Sequence, residues 1–187
     1  KINMAKIDFA KLILHEDEDY LVINKPPLIA SLEDRNSQVN IHKLAKSYLP
    51  EVMLCHRLDK ETSGCLLLAK NEEAYRHAAV AFENRKVTKG YHAVVGGLHE
   101  WHNKVVDLPL LIQSQKVVVS RKGKESKTTF SSVELFKKHT LINCEPESGR
   151  MHQIRVHLAH EKAPIIGDHL YGGQPIFLSE VKRNFKL

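Results

Sequence analysis

The 187 residues suffice for one domain with a substantial core, and 42% hydrophobic residues at a mean hydropathy of -0.32 describe a soluble globular chain. Formal charge is +6, the pI is near 9.2 and twelve histidines add latent positive charge, a balance that suits a polyanionic partner without requiring one. The three cysteines, Cys55, Cys65 and Cys144, are odd in number and nowhere spaced C-x-x-C, which argues against a disulfide framework and a zinc ribbon and fits a reducing cytosol. No apolar run approaches the roughly 18 residues that cross a bilayer, and Lys1–Ala10 lacks the apolar stretch of a signal peptide.

In chain order, Leu12–His15 and Tyr20–Asn24 are short β-rich runs around the acidic turn EDED, a hairpin that delivers the segment NKPP. Residues Leu28–Asn40 have no period and read as a loop. Ile41–Leu49 places Ile41, Leu44, Ala45 and Tyr48 on one helical face, ended by Pro50. Cys65–Ala69 is a continuous apolar run with the length of a buried strand. Asn71 is an N-cap, with Glu72 and Glu73 in the first turn, for a helix reaching about Arg85 that packs through Ala74, Ala78, Ala81 and Phe82. Beyond it the period becomes two, and Tyr91–Val95, Lys116–Ser120, Lys127–Phe136 and Thr140–Cys144 read as strands. One helix, Met151–His160, follows with Met151, Ile154 and Leu158 on its apolar face. The expected fold class is α+β with a mixed, mainly antiparallel sheet and flanking helices.

Neither G-x-x-x-x-G-K-[ST] nor G-x-G-x-x-G occurs, so nucleotide binding through those loops has no support. The close histidine pairs are His99/His102, His152/His157 and His157/His160. The members of the second pair lie about 140° apart around a helix and cannot chelate one ion, so these side chains read as surface or RNA-facing imidazoles. Ser63, Ser148 and Ser179 lack the G-x-S-x-G setting of a serine hydrolase.

Asp59 is more specific. In HRLDKETSGCLLLAK (His56–Lys70) an extended backbone puts Arg57 and Asp59 on one side while Leu58 turns inward. A surface ion pair would stabilise by only about 0–1 kcal/mol and would not need a buried strand immediately after it. A carboxylate kept ionised by cations and fixed by the core has what a nucleophile requires. In PESGRMHQIRVHLAH (Pro146–His160), Arg150 stands at the start of the helix, and His152, Arg155 and Ala159 form a stripe beside its apolar face. Arg155 should therefore be partly desolvated and need an anion, the alternative being a structural arginine bonded to carbonyls. In KVTKGYHAVVGG (Lys86–Gly97), Tyr91 heads a strand behind two lysines and could equally be plain core.

Together HRLDKETSGCLLLAK, KGYHAVVGG (Lys89–Gly97) and SGRMHQIRVHLAHEKAPIIGDHLYGG (Ser148–Gly173), with YLVINKPP (Tyr20–Pro27) ahead of them, closely resemble the RluA-type pseudouridine synthase family, in order over Leu12–Gly173. The resemblance implies a pseudouridine synthase catalytic fold and isomerisation of uridine within ribosomal or transfer RNA. It implies that Asp59 is the catalytic aspartate, that Arg155 pairs with it, and that Tyr91 packs on the uracil. Arg57 would enter the RNA stack as the target base flips out, with Lys25, Lys86, Lys89 and Arg150 as phosphate contacts and His56, His152 and Gln153 as further substrate contacts. It implies no metal, no organic cofactor, no membrane and no DNA partner, and a cytoplasmic monomer. The expected organisation is one catalytic domain over 1–187, without an S4-type domain and C-terminally truncated, since the chain ends before the family's usual last strand. PPLIASLEDRN lacks the glycine common just after the Lys-Pro, and Lys162 stands where a glycine is frequent. A non-catalytic RNA-binding protein is the alternative. A glycosidase or nucleosidase would need a second acid facing Asp59. Glu61 is too near in sequence for that role, and Asp168 reads as a structural residue in a glycine-flanked loop.

Overall fold

The computed structural model describes residues 7–33 and 39–177. The architecture is α+β, with antiparallel sheets and flanking helices, and the chain divides between Val87 and Thr88 into two compact units.

The amino-terminal unit is built on four antiparallel strands, β1 (Ile13–Glu16), β2 (Tyr20–Lys25), β3 (Met53–Leu54) and β4 (Gly64–Ala69), in the spatial order β1-β2-β4-β3. Asp17 makes the hairpin turn, its Oδ1 accepting the N–H groups of Asp19 and Tyr20 at 2.9 and 2.7 Å. The register sets Tyr20 opposite Ala69 and Lys25 opposite Gly64, so the Lys-Pro segment and the loop after β3 leave the sheet side by side. Leu21, Ile23, Leu66 and Leu68 are buried, while Cys65 is exposed, so the run Cys65–Ala69 is buried only in part. Helix α1 (Ile41–Tyr48) is capped by Asn40 and buries Ile41 and Ala45. Helix α2 (Glu72–Glu83) is capped by Asn71, whose Oδ1 accepts the Ala74 N–H at 2.8 Å, and it buries Ala74 and Ala78.

The segment read as a loop is more ordered than expected at its start. Ile29, Ala30 and Ser31 are buried, Ala30 bridges Asn40, and the carbonyls of Ala30 and Ser31 take the N–H groups of Ile41 and His42 at 2.9 and 3.1 Å. They thereby satisfy donors that the first turn of α1 cannot satisfy internally. Residues 34–38 of that segment lie outside the described residues.

The second unit has a sheet of β5 (Tyr91–Gly96), β6 (Lys104–Asp107), β9 (Lys127–Leu135) and β10 (His139–Pro146), antiparallel in the order β5-β10-β9-β6, and a hairpin of β7 (Leu110–Gln113) and β8 (Lys116–Val119). Ala93, Val95, Val106, Phe130, Ile142 and Cys144 form its core with Leu158 of α3 (Gln153–His160), and Tyr91 packs at the margin. Strands β3, β6 and β7 have no counterpart in the sequence reading, and β3, of two residues, is too short for a period to show.

Helix α3 starts at Gln153, two residues later than Met151, because His152 takes a left-handed conformation with φ 53° and ψ 20°. Its buried side chains are Gln153, Val156, His157 and Leu158. His157, expected at the surface, is fully buried.

Candidate functional site

Asp59 lies in the loop joining β3 to β4, and that loop is held by its backbone. The Cys55 N–H reaches the Leu67 carbonyl at 3.0 Å, and His56 Nε2 accepts the Leu67 N–H at 3.0 Å, extending the β3–β4 ladder into the turn. A ring nitrogen that accepts is unprotonated, so a neutral His56 carries its proton on Nδ1. Leu58 is buried, as its alternation with Arg57 and Asp59 requires. Its carbonyl accepts the Ser31 hydroxyl at 2.8 Å and its N–H donates to the same Oγ at 3.1 Å. The Asp59 carbonyl accepts the Thr62 N–H at 3.1 Å, and the Lys60 carbonyl accepts from Lys25 Nζ at 3.2 Å. Arg57 is exposed and Asp59 half-buried.

Lys25 corrects an expectation. Rather than reaching for phosphate, it is fully buried, and its ammonium donates to the carbonyls of Pro26 at 3.0 Å, Ile29 at 2.7 Å and Lys60 at 3.2 Å. Three N–H donors meet three carbonyls, so none is left for RNA. Burial pushes its pKa down to about 8 against the opposing pull of Glu61 and Asp59. The signal was present in the sequence, since Lys25 is in phase with Leu21 and Ile23 on the inward side of β2.

In the second unit, Arg155 meets an anion of the kind its desolvation calls for, and one partner is Asp168. Nε donates to Oδ2 at 2.7 Å and Nη2 to Oδ1 at 2.9 Å, a side-on fork between side chains only 15% and 8% exposed. The Tyr171 ring lies against the guanidinium, 5.1 Å from Cζ to the ring centroid. Its hydroxyl oxygen accepts the Val117 N–H at 3.0 Å and lies 2.7 Å from His152 Nδ1. Neither Asp168 nor Tyr171 stood out as a partner of Arg155, because separations of 13 and 16 residues through a turn carry no periodic signal.

Gln153 is a second correction. Its Oε1 accepts the Ser148 hydroxyl at 2.7 Å and the Arg150 N–H at 3.0 Å, while Nε2 donates to the Lys127 carbonyl and to Thr128 Oγ1, both at 3.0 Å. With both donors and both lone pairs engaged, Gln153 organises the turn ahead of α3 and does not read substrate. Thr128 passes the chain on to His157, whose Nδ1 is 2.9 Å away and whose Nε2 faces the Leu108 carbonyl at 3.1 Å. A carbonyl only accepts, so Nε2 carries the proton and Nδ1 takes the Thr128 hydroxyl. Burial lowers the His157 pKa and keeps the ring neutral. Arg150 is exposed with Nε on the Glu125 carbonyl at 3.2 Å, Lys86 is exposed, and Lys89 and Tyr91 are half-buried. Among the described residues no cluster of three or more His, Cys, Asp or Glu is arranged to hold a metal ion, and no helix is long and apolar enough to cross a membrane.

Residues 19–160, more than half of the chain, match the RNA pseudouridylate synthase family. The chain belongs to that family. Among its pseudouridylate synthase relatives it is 36% identical over 173 residues to ribosomal large subunit pseudouridine synthase D of Haemophilus ducreyi, covering 87% of this chain and 53% of that one. It is 39% identical over 166 residues to an uncharacterized RNA pseudouridine synthase of Helicobacter pylori strain J99, covering 87% and 64%. The chain thus spans between about half and two thirds of the length of these curated relatives. The solved structure of human RNA Pseudouridylate Synthase Domain Containing 4 superposes with a TM-score of 0.76 at 28% identity, covering 92% of this chain and 76% of that one.

Proposed function

We propose that this protein is an RNA pseudouridine synthase acting on uridine in structured ribosomal or transfer RNA, with Asp59 as its catalytic carboxylate. The observation that carries the reading is the Asp59 turn. In a chain of this family, a half-buried carboxylate sits on a backbone gripped at Leu58 by Ser31 and at Lys60 by Lys25, two residues after an exposed arginine. That is the preorganisation a reacting group needs, and a surface ion pair would not need it.

The reaction is an isomerisation. The N1–C1′ bond breaks, the uracil turns, and a C5–C1′ bond forms, with one proton leaving C5 and one arriving at N1. The target base must leave its stack, at a cost of a few kcal/mol, which insertion of Arg57 and phosphate contacts by Lys86, Lys89 and Arg150 offset. Tyr91 packs on the uracil, and Arg155 is the cation that serves the same reaction.

RNA carrying tritium at C5 of uridine tests this. The wild-type protein releases tritium to water, and Asp59→Asn lowers release by at least about 10³-fold while its thermal transition and RNA binding stay close to wild type. Salt-sensitive binding without release in either protein would identify a non-catalytic RNA-binding protein and overturn the reading.

A further inference from the structure

The fork on Arg155 comes from a turn whose shape the sequence enforces. Asp168 accepts with its backbone carbonyl from Tyr171 N–H at 3.1 Å and Gly173 N–H at 2.9 Å, and its own N–H reaches the Ile165 carbonyl at 3.0 Å. Gly172 takes φ +91°, and a Cβ on Gly173 would stand 1.8 Å from the Ile165 oxygen, so both positions need glycine. The turn is also anchored to the edge of β5, where Gly96 N–H meets the Pro164 carbonyl at 3.2 Å and Ile166 N–H meets the Val94 carbonyl at 2.9 Å. Asp168 and Tyr171 are therefore carried on an extension of the sheet, and both engage Arg155, Tyr171 also meeting His152.

We propose that the Ile165–Gly173 turn is a positioning device for Arg155, in which Asp168 sets the plane of the guanidinium and the Tyr171 ring supports its face. This deepens the proposed function, since Arg155 is the cation of that reaction. The side-on fork uses two of the five guanidinium N–H groups, so the remaining three point away from Asp168 toward other partners. An arginine has four rotatable side-chain bonds, and gripping its head removes the freedom that would otherwise scatter those three donors. Tyr171 adds a second link, because its hydroxyl ties the strained left-handed residue His152 to the Val117 N–H of β8.

The test is a double-mutant cycle on the full chain with Asp168→Asn, Arg155→Lys and the pair, together with Tyr171→Phe. Tritium release from a ribosomal RNA transcript labelled at uridine C5 gives kcat, and filter binding of the same transcript gives Kd. The Nε–H resonance of Arg155 in ¹⁵N-labelled protein reads the fork directly. A positioning role predicts that Asp168→Asn lowers kcat about tenfold with Kd within about threefold, and that it costs less than about twofold once Arg155 is lysine. It also predicts that the Nε–H resonance moves upfield and exchanges faster with water. Tyr171→Phe, which keeps the ring, lowers kcat by about threefold and leaves the fork resonance in place. Equal losses in both Arg155 backgrounds, or an unchanged Nε–H resonance in Asp168→Asn, would overturn the proposal. The resonance does not depend on turnover, so a wild-type protein that releases no tritium defeats the proposed reaction while the spectra still decide the positioning of Arg155.

Discussion

Around Asp59 the protein grips the backbone, whereas around Arg155 it grips the head group. Ser31 holds both the N–H and the carbonyl of Leu58 and Lys25 holds the Lys60 carbonyl, while Asp168 and Tyr171 engage the guanidinium itself. The difference follows from side-chain length. An aspartate has two side-chain torsions, so fixing its peptide confines its carboxylate to a few staggered positions. An arginine loses up to about 2 kcal/mol of rotamer entropy when ordered, and a fixed Cα leaves its far end undetermined. Two polar devices are therefore buried for two short-range purposes, one serving main chain and the other serving side chain.

The largest expected effect breaks the grip on the head group through its scaffold. Gly173→Ala places a methyl carbon against the Ile165 carbonyl, and opening the turn should cost about 3 kcal/mol in urea unfolding. Next comes the grip on the backbone. Lys25→Met strands one buried and two half-buried carbonyls, partly offset by relief of a buried charge, for a net loss of about 2 kcal/mol near neutral pH. Its pH signature has a definite sign. The Lys25 pKa is about 8 folded against 10.5 unfolded, so between those values the unfolded state binds more protons and wild-type stability rises with pH. Urea titrations across that range should show the rise in wild type and its absence in Lys25→Met.

His157 gives the second unit a sensitivity of the same sign in a lower pH window. Its folded pKa is depressed below 6.5 by burial, so the stability it contributes is present above that value and is lost as pH falls. Thermal transitions at about pH 7.5 and about pH 5.5 should fall in wild type and fall less in His157→Gln. The smallest effect is a gain. Leu28 and Lys162 hold φ at +66° and +60°, left-handed conformations that cost a side-chain-bearing residue about 1–2 kcal/mol. Leu28→Gly and Lys162→Gly should each stabilise by up to about 1 kcal/mol after the added chain entropy is subtracted, raising the thermal midpoint by a few degrees.

Those two residues show how far the sequence can be read. The resemblance leads one to expect a glycine just after the Lys-Pro and another in place of Lys162, and the backbone is left-handed at Leu28 and Lys162 without one. The hairpin, both capped helices and the long strands β9 and β10 were legible because periodicity and capping act locally. The inward phase of Leu21 and Ile23 also contained the burial of Lys25, although its charge argued for the surface. The Ser31 clamp on Leu58 and the Asp168 fork on Arg155 span 27 and 13 residues and rest on tertiary packing, which leaves no mark on local pattern. His157 was misplaced for a related reason, since its burial depends on Thr128 and Leu108 being brought to both of its ring nitrogens.

The central claim is that the protein isomerises uridine rather than cleaving or merely holding RNA, and nucleoside analysis of the RNA after incubation tests it most directly. The account predicts that pseudouridine appears one for one with the uridine consumed and with the tritium released, with no free uracil and with none of these changes in Asp59→Asn. Free uracil in place of pseudouridine, or conversion that persists in the Asp59→Asn protein, would contradict it.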